Sequence, residues 1–363
     1  MFERKIRFAV VGLGNIARTH VVALRALPII KQLPYLPVLD TLVTRHVEAN
    51  REQALAMGFA HVTDSLEDAL ASRELDVVDI CTPNALHLEA ARVASAYGKA
   101  IYCEKPLADT VERSRILAEG AAAGIPHQVA LVYRYHPAVI RIRAALKQGL
   151  IGDVLQCRAS YRRSGYLSLD RPISWRLESG LSGGGALTDL GVHVLDLIRH
   201  LLGEAAAISG RTHTFVKKRP KNRERTEWVE MEVDDWAQMH LTLATGVEAI
   251  AEVSRIAWGA EGFDLEIIGT EGSIVCDLEK SYRPTVKRLD GSTPPLPNPP
   301  ELALCPDEKT TMGMGVDCHL AALNHFLHRL MGEDRWGNGL APGLEDCLRV
   351  EEWIEQVTQH NPA

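Results

Sequence analysis

The stretch FAVVGLGNIARTH at residues 8–20 limits the possible folds more than any other. An apolar run from Phe8 to Val11 leads into Gly12 and Gly14, and a helical pattern begins at about Ile16. Gly12, Gly14 and Ala17 fit a G-x-G-x-x-G/A fingerprint in which each position has a physical task. The first glycine allows a tight turn, and the second lets backbone amides approach a pyrophosphate. The small third residue keeps helix and strand close, while the helix N-terminus favours phosphate charge. Such a fingerprint is weak alone; it gains meaning between a strand and a helix at the head of a βαβ series. The bland alternative is a purely structural glycine turn.

The series is present up to about residue 130. DVVDICT at 76–82 is followed by NALHLEAARVASAYG, where Leu86, Ala90, Val93 and Ala94 keep a helical period. AIYCE at 100–104 precedes a helix from about Thr110, and HQVALVY at 127–133 closes the set. Strands that are apolar throughout and alternate with helices imply a parallel sheet covered on both faces. YLPVLDTLVTR at 35–45 supplies a further strand, which Pro37 is expected to shorten.

Beyond Gly149 the grammar changes. VLQCRASYRR alternates, with Leu155, Cys157, Ala159 and Tyr161 on one face and Gln156, Arg158, Ser160 and Arg162 on the other. Similar runs follow at about 208–215, 235–244, 247–257, 263–269, 273–278 and 285–289, with turns at Thr245-Gly246, Glu271-Gly272 and Asp290-Gly291. Helices are expected near 186–202, 315–331 and 343–357. The fold class is α/β: a doubly wound Rossmann domain over 1–127, then an α+β domain over 128–363 with a large, mostly antiparallel open sheet. The last helix is placed so that it can pack back on the first domain.

Composition narrows the class further. A chain of 363 residues suits two domains. No apolar run approaches the ~20 residues of a membrane span, and MFERKIRFAVVG carries no signal-peptide pattern, so no membrane partner is expected. Seven cysteines without a CxxC pair suit free thiols in a reducing cytoplasm. A formal net charge of −7 disfavours nucleic acid, and the basic segment VKKRPKNRER at 216–225 reads as a solvated loop.

The segment SGGGALTDLGVHVLDL at 182–197 places Asp189, His193 and Asp196 at spacings that share one helical face, beside an apolar face of Leu187, Leu190, Val194, Leu197 and Ile198. An ordinary helix start with one acid and a solvated histidine is the competing reading. The glycines at 183–185 are expected to let the backbone pass close to a ligand. Two apolar strands end in CTPNALH and YCEKPL, and ligands of doubly wound sheets bind at carboxyl ends of strands. Lys105 is thus expected at the cofactor, held extended before Pro106.

GLGNIA, CTPNALH, EKP and GGGALTDLGVHVLD, in that order, resemble the Gfo/Idh/MocA family of nicotinamide-dependent oxidoreductases, which act mostly on sugars, polyols and their derivatives. The resemblance runs from about residue 5 through the antiparallel sheet. It implies a catalytic set of Lys105, Asp189 and His193. The chemistry agrees: oxidising a secondary alcohol removes a hydride from carbon and a proton from oxygen. A histidine of unperturbed pKa of roughly 6.5 accepts such a proton near neutrality. Asp189 can orient the imidazole or bind a neighbouring hydroxyl, and Lys105 can stabilise a developing alkoxide.

The resemblance also implies cofactor contacts at Gly12, Gly14, Asn15, Ile16, Thr44, Arg45, His46, Thr82, Pro83, Asn84, His87, Lys105, Trp175 and Arg176, with Glu104 on the nicotinamide ribose. Substrate contacts fall to Lys105, Arg134, Tyr166, Arg176, Asp189 and His193. A neutral polyhydroxylated ring fits, and Arg134 with Arg176 leaves room for a sugar acid. The second strand ends in Thr44-Arg45-His46 without the carboxylate that would repel a 2′-phosphate, which favours NADP over NAD.

A homodimer or homotetramer through the open sheet is expected, because an uncovered apolar sheet face would be large for a monomer. Other readings stay open: a reductase or bond-cleaving member of the family, or a catalytically silent dinucleotide-binding regulator. The presence of all three catalytic positions disfavours the regulator. No metal is expected, since no HExxH-like ligand pair accompanies Asp189 and His193.

Overall fold

The computed structural model describes residues 4–31, 33–120, 124–307, 309–337 and 339–359. The chain divides into two compact units, one of residues up to 135 together with 303–348, the other of 136–302 together with the residues from 349 on.

The first unit alternates strands and helices: β1 (Arg4–Val11), α1 (Asn15–Ile30), β2 (Tyr35–Val43), α2 (Val47–Met57), β3 (His61–Thr63), α3 (Leu66–Ser72), β4 (Val77–Ile80), α4 (His87–Ala96), β5 (Ala100–Cys103), α5 (Val111–Gly120) and β6 (His127–Val129). Its six strands run parallel in the order β3-β2-β1-β4-β5-β6. The order reverses between β1 and β4, which makes their carboxyl ends the switch point where a doubly wound sheet receives its ligand. Phe8, Ala9, Val10, Val77, Val78, Ile80 and Ile101 are fully buried, as a sheet covered on both faces requires.

Pro37 does not shorten its strand. It lies within β2 opposite Ile6 of β1, while β3 pairs only with Thr41–Val43. The neighbour on the far side is absent at that point, so the missing N–H breaks no ladder there.

The second unit begins with α6 (Pro137–Lys147) and β7 (Val154–Arg162), followed by the short α7 (Ser179–Ser182). A π-helical turn at Leu187–Gly191 then leads into α8 (Val192–Leu202). Strands β8 (Ala205–His213), β9 (Lys218–Pro220), β10 (Trp228–Glu230), β11 (Trp236–Leu243), β12 (Glu248–Ser254), β13 (Gly262–Gly269), β14 (Gly272–Asp277) and β15 (Thr285–Arg288) complete it. Seven strands form a sheet in the order β15-β14-β13-β7-β12-β11-β8, antiparallel except where β12 pairs with β7. One face, with Cys157, Ala159, Tyr161, Ala251, Val253, Leu265 and Ile267, is buried, and α8 packs on β7 and β12.

Two expectations need correction here. The outer face of this sheet is polar rather than apolar: Arg158 faces Glu266 at 3.5 Å, Arg162 pairs with Asp264, and the Trp236 indole donates to Glu252 at 2.7 Å. Cys157, Ala159, Tyr161, Ala251, Val253, Leu265 and Ile267 point inward, while Val275, opposite Glu266, is exposed among polar groups of the outer face, so that face is mainly polar and gives a weaker reason for self-association than a wholly apolar one. The basic segment is also more than a solvated loop. Lys218–Pro220 pair with Trp228–Glu230, and Arg219 is fully buried, donating to the carbonyl of Ser168 at 2.9 Å.

The chain closes with α9 (Met314–Leu330) and α10 (Leu344–Gln359). The stretch from Ala303 to Leu348, α9 included, belongs to the first unit, where α9 packs against α1.

Candidate active site

At the end of β1 the chain turns sharply. Gly12 has φ +98°, and a Cβ there would lie 2.9 Å from the Cys81 carbonyl oxygen, so both conformation and space demand glycine. Gly14 differs. Its φ of −75° suits any residue, and a Cβ there would meet nothing within 4 Å. Gly14 is the N-cap of α1, whose first turn has neither a capping side chain nor an acidic residue. The orphan N–H groups of that turn have no capping side chain, and the positive end of the helix dipole lies behind them. A dinucleotide's diphosphate fits this cradle. Ala17 is fully buried, Asn15 is exposed and Ile16 is half-buried.

At the end of β2, the Thr44 hydroxyl accepts from the Asn50 side chain at 2.9 Å, while Arg45 and His46 are exposed. Glu48, the next acid, lies inside α2 and pairs with Arg51 at 2.9 Å. After β4, Thr82 and Pro83 are half-buried and Asn84 is buried.

His87 departs from its expected place at the cofactor edge. It is fully buried, with Nδ1 2.9 Å from the Pro106 carbonyl oxygen and Nε2 2.8 Å from that of Thr82. Burial lowers its pKa, and the ring ties the two strand-end loops together instead of reaching a ligand. After β5, Glu104 is 6% exposed and accepts from the Lys105 backbone N–H at 3.2 Å. Lys105 is half-buried, and its peptide bond to Pro106 is cis.

Arg134 is likewise not presented to substrate. It is 2% exposed, and its guanidinium donates to Asp346 at 3.4 Å within the first unit. A buried guanidinium needs a carboxylate partner, and that partner comes from far along the chain.

In the second unit, the turn carrying Asp189 is π-helical, a form that recurs at functional sites. Its i→i+5 winding leads directly into α8, which carries His193 and Asp196. Asp189 is one quarter exposed, His193 is 9% exposed, and Asp196 is buried within α8. Tyr161 stands edge-on to the His193 ring at 6.4 Å.

The glycines before this turn serve packing. Gly183, with φ +73°, ends α7; a Cβ at Gly184 would collide with Thr188, and one at Gly185 would lie 2.0 Å from the Asp234 carbonyl oxygen. The Asp234 carboxylate accepts from the N–H groups of Gly185 at 3.0 Å and Leu187 at 2.8 Å, which anchors the start of the π turn.

Arg255, directly after β12, was not singled out by sequence reasoning. It is 1% exposed and donates to Asp189 at 3.2 Å and to the Arg176 carbonyl at 3.4 Å. The Arg176 guanidinium stacks over Trp175 at 4.4 Å and stands 4.0 Å from Asp189. Tyr166 is flanked by Arg171 at 4.1 Å, Arg255 at 5.0 Å and Arg219 at 6.0 Å. Trp175, Arg176, Tyr166 and Asp189 thus form one cation-rich cluster, organised by a buried arginine that no local motif announces.

Comparison with known proteins gives a consistent picture. A family model described as oxidoreductase family, NAD-binding Rossmann fold, matches residues 6–124, and a GFO/IDH/MocA C-terminal domain model matches residues 139–275. A levoglucosan dehydrogenase from Pseudarthrobacter phenanthrenivorans is 32% identical over 291 residues, spanning 76% of this chain and 75% of that protein. A D-xylose 1-dehydrogenase [NADP(+)] from Haloarcula marismortui is 31% identical over 58% of this chain and 56% of its own length. A solved structure of levoglucosan dehydrogenase in complex with NADH and levoglucosan aligns with a TM-score of 0.88 at 28% identity, covering 98% of this chain and 96% of that one.

Proposed function

The chain belongs to the GFO/IDH/MocA oxidoreductase family, and on that premise we propose that it is a nicotinamide-dependent dehydrogenase acting on a secondary hydroxyl of a neutral sugar or polyol. The observation that carries this reading is the uncapped N-terminus of α1 with open space at Gly14, set at the switch point of the parallel sheet. The names of the relatives, a levoglucosan dehydrogenase and a D-xylose 1-dehydrogenase, support the substrate class.

When bound, the nicotinamide takes up the hydride from the carbinol carbon or returns it. The residues of the chain do the rest. The first-turn amides of α1 hold the diphosphate. Glu104, a buried carboxylate at the end of β5, accepts a hydrogen bond from the nicotinamide ribose. Lys105 donates to the substrate oxygen and stabilises it as it loses its proton. His193 takes that proton, and in the reverse direction returns it. Asp189, held by Arg255, binds a neighbouring hydroxyl or orients the imidazole.

Arg45, exposed at the end of a strand without a carboxylate, supports use of NADP. Seven cysteines, all buried and unpaired with one another, support residence in a reducing compartment such as the cytoplasm. Pairing of copies through the outer sheet face belongs to the same proposal and rests on the family resemblance.

A screen of neutral sugars, polyols and sugar acids with NAD and NADP, following absorbance of the reduced nicotinamide, with direct binding of each dinucleotide measured beside it, tests the reading. Turnover on at least one neutral sugar or polyol is expected. Failure to bind either dinucleotide, or turnover confined to acidic substrates, sinks it.

A further inference from the structure

One fully buried histidine lies outside the roles assigned above. His20 is on α1, about one and a half turns after the phosphate cradle, and is 0% exposed. Its Nδ1 is 2.9 Å and 3.1 Å from the two oxygens of Asp79 on β4, and its Nε2 is 3.1 Å from Oε1 of Glu104. Asp79 is itself fully buried. The Cys81 thiol adds contacts to His20 at 3.3 Å and to Asp79 at 3.4 Å. From β5, the Tyr102 ring stands edge-on at 5.4 Å; from α9, the His319 ring lies tilted at 4.8 Å.

Two carboxylates facing the two ring nitrogens define the protonation state. A neutral imidazole has one N–H, and its other nitrogen would turn a lone pair toward an acceptor. An imidazolium donates on both sides. Burial by itself lowers the pKa of His20, but Asp79 and Cys81 outweigh it and hold it well above 6.5. Burial likewise pushes Glu104 up, yet the hydrogen bond and charge of His20 outweigh it and bring it down to about 2. His319 is pulled down to about 3 by burial and stays neutral, leaving His20 as the cation of the cluster. The same side chain therefore links α1, which carries the cradle, to the end of β5, which carries Glu104 and Lys105.

We infer that His20 is a positioning residue for the dinucleotide: bridging Asp79 and Glu104, it fixes the Glu104 carboxylate for the nicotinamide ribose and sets its distance from the phosphate cradle on α1. This rests on the proposed dehydrogenase reading. Being fully buried, His20 does not touch the ligand; it acts through Glu104. Oε1 of Glu104 is held by His20 and Oε2 by the Lys105 N–H, so the carboxylate cannot rotate away from the strand end.

The test is calorimetric binding of NADH to the full chain between pH 6 and 9, with a melting curve for each variant. Wild-type affinity should vary less across this range than that of a variant without the bridge, since the hydrogen bond from His20 favours the ionised form of Glu104. His20→Leu removes the donor to Glu104, and burial then drives the Glu104 pKa upward. At pH 6.5 its affinity should be at least tenfold weaker, and the gap should narrow as pH rises and Glu104 ionises. In the double variant His20→Gln with Asp79→Asn, an amide donates to Glu104 and another donates to the new carbonyl. This neutral relay should bring affinity back to within threefold of wild type, without the pH dependence. A purely structural role moves the melting curve but leaves the pH profile of binding flat. Where His20→Leu gives no folded protein, His20→Gln alone takes its place, since its carbonyl then opposes Asp79. A folded single variant with wild-type affinity at pH 6.5 overturns the inference, as does a double variant that binds no better than the single one. If the wild-type chain binds no dinucleotide, the dehydrogenase reading itself falls and takes this inference with it.

Discussion

Gly14→Ala separates a glycine kept for a ligand from one kept for the fold. The backbone at Gly14, φ −75°, is open to alanine, and the added methyl would meet nothing within 4 Å. Two small effects on stability oppose each other. Alanine restricts the unfolded chain, worth about 0.4–1 kcal/mol, and is a poorer N-cap than glycine by a comparable amount. The melting temperature should therefore stay within about 3 °C of wild type. Binding should suffer, because the methyl occupies the cradle where the diphosphate meets the first-turn amides. Losing one charge-assisted hydrogen bond, worth about 1.5–3 kcal/mol, weakens NADH binding by roughly tenfold to a hundredfold. Gly12→Ala provides the contrast: a left-handed alanine costs about 1–2 kcal/mol, and its Cβ would press on the Cys81 carbonyl, so that variant should lose stability outright. Calorimetry with NADH and NADPH beside a thermal melt reads both quantities. Wild-type affinity in Gly14→Ala would refute the placement of the diphosphate, and a marked fall in melting temperature would refute the open space.

Other consequences follow from the same proposal. Lys105→Ala and His193→Ala should each lower turnover by orders of magnitude while NADH still binds, and near-normal turnover in either removes that residue from the catalytic set. Arg45→Ala should raise KM for NADP at least several times more than KM for NAD, and an equal effect on both, or a wild-type preference for NAD, defeats the cofactor assignment. Light scattering at micromolar concentration should report a dimer or tetramer, and a monomeric mass removes pairing through the polar sheet face.

What could be read from the sequence was local. The turn at Gly12 and Gly14 is specified by residues adjacent in the chain, the buried strands of the first sheet show as continuous apolar runs, and most strands of the second show their faces by alternation, while the three-residue β3 is too short to show either pattern. The partners of buried charges are not local. Arg134 meets Asp346, and Arg255 meets Asp189, across stretches of chain that no motif connects. Sequence reasoning therefore placed Arg134 at the substrate and passed over Arg255. The glycines at 184 and 185 looked ligand-facing because small residues also mark close approach to a ligand. Here the close neighbours are Thr188 and the Asp234 loop. The π turn had no cue, since one extra residue of winding leaves the apolar period of α8 intact.

The distribution of arginines bears on the substrate. Sequence offered Arg134 and Arg176 as seats for a sugar carboxylate, but Arg134 is committed to Asp346 inside the first unit. Around Asp189, Arg255 is committed to its carboxylate, and Arg176 lies 4.0 Å from the same group while stacked on Trp175. An incoming carboxylate would have to compete with Asp189 for these guanidinia. At an effective dielectric of about 20 and about 4 Å, repulsion from Asp189 is about 4 kcal/mol, and attraction to the Arg176 guanidinium is of the same size, so a carboxylate gains little there that Asp189 does not cancel. A neutral polyol meets no such opposition: its hydroxyls donate to Asp189 and accept from Arg176 without displacing either partner. The pairing of Asp189 with a buried arginine thus weighs toward a neutral ring, and Arg255→Leu should harm turnover of such a substrate by releasing Asp189, although Arg255 itself need never touch it.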